Sequence, residues 1–140
     1  GNPLSSFVVK ALSGIPIDDP SGADFGGDFA YAPDVAMGFY RAYVTPRPPE
    51  WIYHIGCGKL YVLSEVAEIL RDLVPGAKIS LGPGMLPYVT QSPTRGPIDI
   101  RRAERDLGYR VQYDLRQALE HFIETVRSRS RQPGGLPRAS

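Results

Sequence analysis

The chain has 140 residues, a length that suits one domain or a piece of a larger one. Hydrophobic residues make up 42% and charged residues 22%, which indicates a globular protein and excludes an intrinsically disordered one. The net charge of +1 gives no basic field for nucleic acid, and no apolar run approaches the roughly 20 residues that cross a bilayer.

The first part of the chain is predicted to hold two helices separated by a loop. In chain order the patterns predict a helix over residues 3–12, an extended piece over 15–17, a polar loop over 18–27, a brief strand over 29–31 and a helix from Asp34 to about Tyr43. Asp34 is the expected N-cap, because its carboxylate can accept a hydrogen bond from a free backbone N–H of the first turn.

The second part is predicted to hold two strands and three helices. In chain order we expect a strand over 51–55, a helix capped by Ser64 through about Leu73, a strand over 78–81, an irregular loop over 82–97, a helix capped by Asp99 that stops at Gly108 and a last helix capped by Asp114. The run Trp51-Ile52-Tyr53-His54-Ile55 is typical of a parallel strand that is covered on both faces. We therefore expect one unit over residues 1–132 and a disordered tail over 133–140.

Three segments, in order, resemble the C-terminal part of a known enzyme family. Asp28–Ala36 (DFAYAPDVA) is similar to R-D-F-x-Y-V-x-D-V-A, and Ile52–Gly58 (IYHIGCG) is similar to F-N-I-G-S-G. Arg95–Tyr109 (RGPIDIRRAERDLGY) is similar to R-G-P-x-D-I-S-R-A-x-x-E-L-G-Y. These motifs resemble the extended short-chain dehydrogenase/reductases, the NAD-dependent epimerase/dehydratase family.

The resemblance implies an α/β fold, or α+β for an isolated piece: a few short strands and about five helices from the C-terminal part of a Rossmann-type enzyme. It implies a portion of an NAD(P)-dependent sugar-nucleotide epimerase/dehydratase-like oxidoreductase. The sequence has no Gly-x-x-Gly-x-x-Gly turn and no Tyr-x-x-x-Lys pair, the family's cofactor and catalytic motifs. We therefore expect no catalytic residue and no cofactor in this chain alone, and NAD or NADP in a parent enzyme whose N-terminal Rossmann half is a partner.

The resemblance also carries substrate roles onto four residues. Arg95 matches an Arg that contacts the substrate diphosphate, a task suited to a planar guanidinium. Phe29, Ile17 and Asp19 match positions that line the base or ribose, although core packing is the favoured interpretation of Phe29 and Ile17. Gly27 replaces a second diphosphate-binding Arg of the family, which favours a smaller hydroxy acid or alcohol as an alternative substrate.

Other patterns are weaker. Gly56-Cys57-Gly58 lies between a strand and a helix, but its third glycine and its later acidic residue are missing, so we do not interpret it as a nucleotide loop. His54 and Cys57 supply too few ligands for zinc, and no metal site is predicted. Because Cys57 is the only cysteine, no internal disulfide can form, which fits a reducing cytoplasm.

An alternative from another class stays open. The chain could be a stand-alone, non-catalytic binding or interaction module that kept the substrate half of such an enzyme. Such a module must cover the apolar strand at 51–55, for example by forming a homo-oligomer. In the enzyme interpretation the missing half covers that strand. In both interpretations the ligand is a small molecule, and neither nucleic acid nor a membrane is an expected partner.

Overall fold

The computed structural model describes residues 3–86 and 96–130. In chain order the elements are α1 (Pro3–Leu12), β1 (Ile17–Asp19), β2 (Gly26–Gly27), α2 (Ala32–Val44), β3 (Tyr61–Val62), α3 (Leu63–Leu73), β4 (Ile79–Leu81), α4 (Arg101–Leu107) and α5 (Leu115–Ser130). This mixed α/β architecture, with short strands and five helices over the described residues, confirms the predicted fold class. None of the helices in these two ranges is both long and apolar enough to cross a bilayer.

The strands form two small pairs. β1 and β4 are parallel, with Ile17 opposite Ile79, and β2 and β3 are antiparallel, with Gly26 opposite Val62. A parallel pair needs a long crossover, which α2 and α3 supply between β1 and β4.

Most of the buried apolar side chains form one core between α1, α3, α5 and the β1–β4 pair. Its buried members are Phe7, Val8, Ala11, Ile17, Leu63, Val66, Ala67, Leu70, Val74, Ile79, Leu86, Leu115, Leu119 and Ile123. Arg71 of α3 donates through Nη2 to the carbonyl oxygen of Ile79 at 2.7 Å, which ties the helix to β4. A second, smaller core of Ala103, Leu107 and Tyr109 lies beside Tyr53 and Ile55.

Two of the predicted helix boundaries are confirmed in detail. α1 spans the predicted residues 3–12. At the start of α5, Asp114 Oδ1 accepts from the Gln117 N–H at 2.8 Å and Gln117 Oε1 accepts from the Asp114 N–H at 3.0 Å. These reciprocal bonds form a capping box, so Asp114 caps the last helix as predicted.

Three predicted caps are wrong. α4 begins at Arg101 with Ile100 rather than Asp99 at the N-cap position, although it ends before Gly108 as predicted. α3 begins at Leu63, before Ser64, because the N–H groups of its first turn donate to the carbonyls of Phe25 and Ala23 at 2.9 and 3.1 Å. α2 begins at Ala32, so Asp34 lies inside its first turn. The Asp34 carboxylate is buried and accepts hydrogen bonds from a distant segment instead.

Two predicted strands are also absent from the described ranges. Residues 29–31 are irregular, and the strand in this region is the two-residue β2, which precedes them in the chain. Residues 51–55 pair with no other strand among the described residues, and Trp51 is 99% exposed. Within this segment Tyr53 and Ile55 pack against the smaller core, while Trp51 and Ile52 are exposed. The predicted loop over 82–97 is irregular where it is described, and the predicted tail over 133–140 lies outside the described residues.

Candidate substrate-binding surface

The Asp28 carboxylate joins three segments of the chain. Its Oδ1 accepts from the Cys57 N–H at 2.7 Å, and its Oδ2 accepts from the N–H groups of Gly58 at 2.8 Å and Ile98 at 3.1 Å. Hydrogen bonds to an ionised acceptor are stronger than neutral ones. The residues that follow β2, the turn before β3 and the segment before α4 are therefore fixed to one another at this carboxylate.

The turn at 56–58 is shaped around that carboxylate. A Cβ atom on Gly56 would lie 3.0 Å from each Asp28 carboxylate oxygen and 3.1 Å from Ile98 Cβ, closer than side chains normally pack. Gly58 has φ +68°, which favours glycine. The fully buried Tyr109 donates its hydroxyl to the Gly56 carbonyl at 2.8 Å, so the smaller core supports the same turn.

The start of the 82–97 loop is attached to the segment that precedes Asp28. The Gly82 N–H donates to the Asp19 carbonyl at 2.8 Å, and the Gly84 N–H donates to Asp24 Oδ2 at 2.7 Å. Since Ile98 is held by Asp28, both ends of this loop contact residues 19–28. The loop predicted to carry the substrate-binding Arg thus begins and ends beside the other predicted site residues.

Three of the four predicted substrate residues are described by the structure, and they differ in burial. Ile17 is fully buried in the main core, which agrees with the packing interpretation. Asp19 is half-buried at the end of β1. Phe29 is half-buried, packs against the main core and has its ring centroid 6.4 Å from that of Phe25. Arg95 lies outside the described residues. The substrate role of all four stays a prediction.

The Gly56-Cys57-Gly58 turn does not fit a dinucleotide. A phosphate would bind to backbone N–H groups of such a turn, but those of Cys57 and Gly58 already donate to Asp28. The Cys57 thiol donates to the Lys59 carbonyl at 3.3 Å, and burial, together with a hydrogen bond to Asp28, raises its pKa to about 11. A thiol with so high a pKa is a poor nucleophile near neutral pH. Over residues 3–86 and 96–130 no cluster of three or more His, Cys, Asp or Glu side chains is arranged to hold a metal.

A separate region of the molecule exposes large apolar side chains. We call it the α2 face, and its members are Phe39, Tyr40, Tyr43, Val44, Trp51 and Ile52. Phe39, Tyr43, Trp51 and Ile52 are 71%, 88%, 99% and 68% exposed. α2 lies against the 51–55 segment, because a Cβ on Gly38 would come within 2.7 Å of Ile55 Cγ2. A pocket of about 330 Å³, lined in part by Ile52 and His54, adjoins the same segment.

Sequence analysis did not assign the two aspartates that organise the chain. Asp28 was noted only as part of a motif, and Asp34 was expected to be a helix cap. Asp34 is 3% exposed and accepts from the N–H groups of Gln112 at 3.0 Å and Tyr113 at 3.3 Å. The partners of both carboxylates are backbone groups about 30 to 80 positions away in the sequence, so no local spacing could have revealed them.

Structural comparison identifies similar folds, although no family model and no curated protein matches the chain. An epimerase from Methanothermobacter thermautotrophicus is 20% identical with a TM-score of 0.77, and the match covers 93% of this chain and 38% of that one. The Bordetella bronchiseptica enzyme WbmF in complex with NAD+ and UDP is 23% identical with a TM-score of 0.76, covering 92% and 38%. A GalE-like L-threonine dehydrogenase from Cupriavidus necator is 23% identical with a TM-score of 0.72, covering 86% and 44%.

These matches confirm the predicted fold. The chain has the mixed α/β fold of the part of these structures that it matches. It spans about two fifths of the length of the structures that it matches.

Proposed function

We propose that this chain is the substrate-binding part of an NAD(P)-dependent sugar-nucleotide epimerase/dehydratase-like oxidoreductase. The observation that carries the proposal is the match of nine tenths of the chain to about two fifths of such enzymes. In this assignment residues 19–28, together with the 82–97 loop that Ile98 follows, form the surface that meets a small-molecule substrate. Attachment of both loop ends to residues 19–28 supports it.

The α2 face supports a missing Rossmann half as the partner. Soluble monomers rarely expose a contiguous patch of large apolar side chains unless the patch binds something. The adjoining segment 51–55 forms no ladder with another strand among the described residues. A segment without a strand partner can add to the edge of a sheet. A Rossmann sheet would pair with this segment and cover the exposed Trp51 and Ile52 side chains.

Cofactor binding and catalysis belong to that partner in our proposal. The turn most similar to a nucleotide loop is occupied by the Asp28 carboxylate, and the chain has no Tyr-x-x-x-Lys pair. The residues present therefore do not fit NAD or NADP, and we derive no hydride-transfer step from them. The contribution of this chain is to bind and orient the substrate.

A smaller substrate is the second candidate, and Gly27 favours it. Gly27 offers no cation for a diphosphate, and a Cβ there would meet the Phe29 ring at 3.2 Å, so the aromatic ring covers this position. The matched structures include the GalE-like L-threonine dehydrogenase, whose name denotes a small hydroxy amino acid as substrate. A small hydroxy acid or alcohol would need no second guanidinium.

Titration of the isotope-labelled chain with UDP, L-threonine and NAD+, followed by NMR, tests these assignments. UDP is expected to shift amide signals in residues 19–28 and near Ile98, and NAD+ at the same concentration is expected to shift none. A response to L-threonine without one to UDP would favour the second candidate. NADH formation by the purified chain, free of host enzymes, would contradict the assignment of cofactor binding and catalysis to the partner.

A further inference from the structure

A pocket of about 330 Å³ lies where the α2 face meets helix α4. Its lining includes Ile52 and His54 from the 51–55 segment, Asp99 from the segment before α4, and Arg102 from α4 itself. Ile52 also belongs to the α2 face, where it is exposed beside Trp51. The pocket is therefore continuous with the exposed apolar surface and places charged groups at the edge of that surface.

Two of the three acidic side chains around Arg102 are already paired with other arginines of α4. Asp99 accepts from Arg101 Nε at 2.9 Å and from Arg101 Nη2 at 2.6 Å. Asp106 accepts from Arg105 Nε at 2.6 Å and from Arg105 Nη2 at 2.9 Å. In each pair the planar guanidinium meets both carboxylate oxygens, which is the strongest arrangement for these two groups. Within the described residues, neither carboxylate accepts a hydrogen bond from Arg102.

The guanidinium of Arg102 is the least engaged of the three in α4. Its Nη1 donates to the Ile52 carbonyl at 3.5 Å, the upper limit of a hydrogen bond, and lies 4.0 Å from Glu50 Oε2. Over residues 3–86 and 96–130 its Nε and Nη2 groups have no acceptor, and the ring nitrogens of His54 form no hydrogen bond. A guanidinium and an imidazole thus offer unused N–H donors to one pocket.

We propose that this pocket receives a carboxylate side chain of the protein that covers the α2 face. The proposal rests on the proposed function, which assigns a protein partner to that face, and it deepens it by stating the chemistry of the contact. A guanidinium suits a carboxylate because two parallel N–H···O bonds can form between them. Arginine and aromatic side chains are also the residues that most often anchor protein interfaces. The partner segment is therefore an Asp or Glu between apolar side chains, with its carboxylate on Arg102 and its apolar groups on Trp51 and Ile52.

Glu50 is the acidic group that an incoming carboxylate would displace. Its contact with Arg102 is 4.0 Å long, and both side chains are about half exposed. An exposed ion pair of this kind contributes little free energy. A carboxylate bound at hydrogen-bond distance would therefore be favoured over Glu50, and removal of the Glu50 charge should strengthen binding.

Two pairs of probes test the pocket by NMR of the isotope-labelled full chain. The first pair is 4-phenylbutyrate and 4-phenylbutyramide, which share an apolar stem and differ in the carboxylate. We expect the carboxylate to shift the Arg102 Nε–H and His54 ring signals saturably and the amide to shift neither. The second pair is the peptides acetyl-Leu-Glu-Leu-amide and acetyl-Leu-Gln-Leu-amide. The Glu peptide should bind about fivefold more tightly than the Gln peptide and should also shift the Trp51 indole signal, since the pocket adjoins that side chain.

Arg102→Gln and Arg116→Gln separate a local contact from an effect of net charge. Each variant removes one positive charge, but Arg116 belongs to α5 and pairs with Asp72 at 2.7 Å. We expect Arg102→Gln to weaken binding of the Glu peptide about fivefold and Arg116→Gln to leave it within twofold. Glu50→Gln should strengthen the same binding about twofold.

The outcomes distinguish this proposal from its competitors. Equal affinity of the wild type for the two peptides, or equal affinity of Arg102→Gln and Arg116→Gln for the Glu peptide, would overturn it. Binding of 4-phenylbutyrate without a preference between the peptides would assign the pocket to a small organic acid instead. Shifts at Arg102 that grow with protein concentration, with no probe added, would assign it to a second copy of the chain. The UDP and L-threonine titrations test the substrate assignment separately, so failure of either proposal can be recognised by itself.

Discussion

Helices α2 and α3 have similar lengths and opposite relations to the rest of the chain. α3 buries Leu63, Val66, Ala67 and Leu70 against the main core. The buried residues of α2 are Asp34 and Gly38, while its aromatic side chains point outward. One helix therefore buries its apolar surface within this chain, and the other leaves an apolar surface exposed among the described residues.

The difference separates a region whose apolar side chains are covered within the described residues from a region where they are exposed. The main core is enclosed by α1, α3, α5 and the β1–β4 pair, all from the described residues. The smaller core lies next to Tyr53 and Ile55, which belong to the segment that no described strand pairs with. The side of the molecule that carries α2 is thus expected to gain its covering from a partner, while the α3 side folds on its own contacts.

Truncation of Leu70 is expected to have the largest effect on stability, and it tests the difference in burial between α3 and α2. Leu70 is fully buried in α3, so Leu70→Ala should cost about 2–5 kcal/mol of unfolding free energy, because the transfer energy is lost and a cavity remains. The measurement is equilibrium unfolding in urea. Phe39→Ala in α2, where the side chain is 71% exposed, is the matched control and should change stability by about 0.5 kcal/mol or less. Equal losses in the two variants would show that α2 is buried in the isolated chain.

Tyr109→Phe tests the link between the smaller core and the 56–58 turn. Removing the hydroxyl leaves the Gly56 carbonyl without its buried donor, at a cost of about 1–2 kcal/mol at pH 8. Burial raises the pKa of Tyr109 to about 12, with the Asp34 and Asp28 charges adding to the effect. The folded chain therefore keeps a proton that the unfolded chain loses above pH 10, and wild-type stability should fall as pH rises from 10 to 12.

Tyr40→Phe is the control for that experiment, because Tyr40 is 56% exposed. Unfolding curves at pH 8 and between pH 10 and 12 should show a smaller alkaline loss of stability in Tyr109→Phe than in Tyr40→Phe. If the two variants have the same stability at every pH, the buried hydrogen bond contributes nothing to the fold.

The parts of the fold that sequence predicted are those with local causes. α1 has its buried Phe7, Val8 and Ala11 at helical spacing and Gly14, with a positive φ, just after its end, all within one short stretch. The cap of α5 depends on Asp114 and Gln117, three residues apart. Helical periodicity and capping need only neighbours, so these elements follow from the sequence alone.

The parts that sequence did not predict depend on distant partners. The first turn of α3 is satisfied by carbonyls of Ala23 and Phe25, which made the predicted Ser64 cap unnecessary. Asp28 and Asp34 bind backbone groups far along the chain, and the apolar run at 51–55 shows only that burial is needed, not what supplies it. The candidate site has the same limit: its segments could be named from motifs, but the carboxylate that joins them could not.

Substitution of Trp51 should have the smallest effect on stability and the largest bearing on what the α2 face does. Trp51 is 99% exposed, so Trp51→Ser should change the unfolding free energy of the dilute chain by about 0.5 kcal/mol or less. Ile15→Ser, at a half-exposed position outside the α2 face, is the control. A loss above 1 kcal/mol for Trp51→Ser alone would mean that the indole is covered in solution.

Trp51 is the only tryptophan, so its fluorescence shows whether a second copy covers it. If the chain acts as the substrate part of a larger enzyme, emission should stay that of a water-exposed indole and sedimentation should stay monomeric as concentration rises. If the chain is a stand-alone module, emission should shift to shorter wavelength as dimers form, and Trp51→Ser should weaken the dimer while Ile15→Ser does not. The two interpretations share the same α2 face and differ only in its occupant, so this concentration series distinguishes them without requiring a substrate.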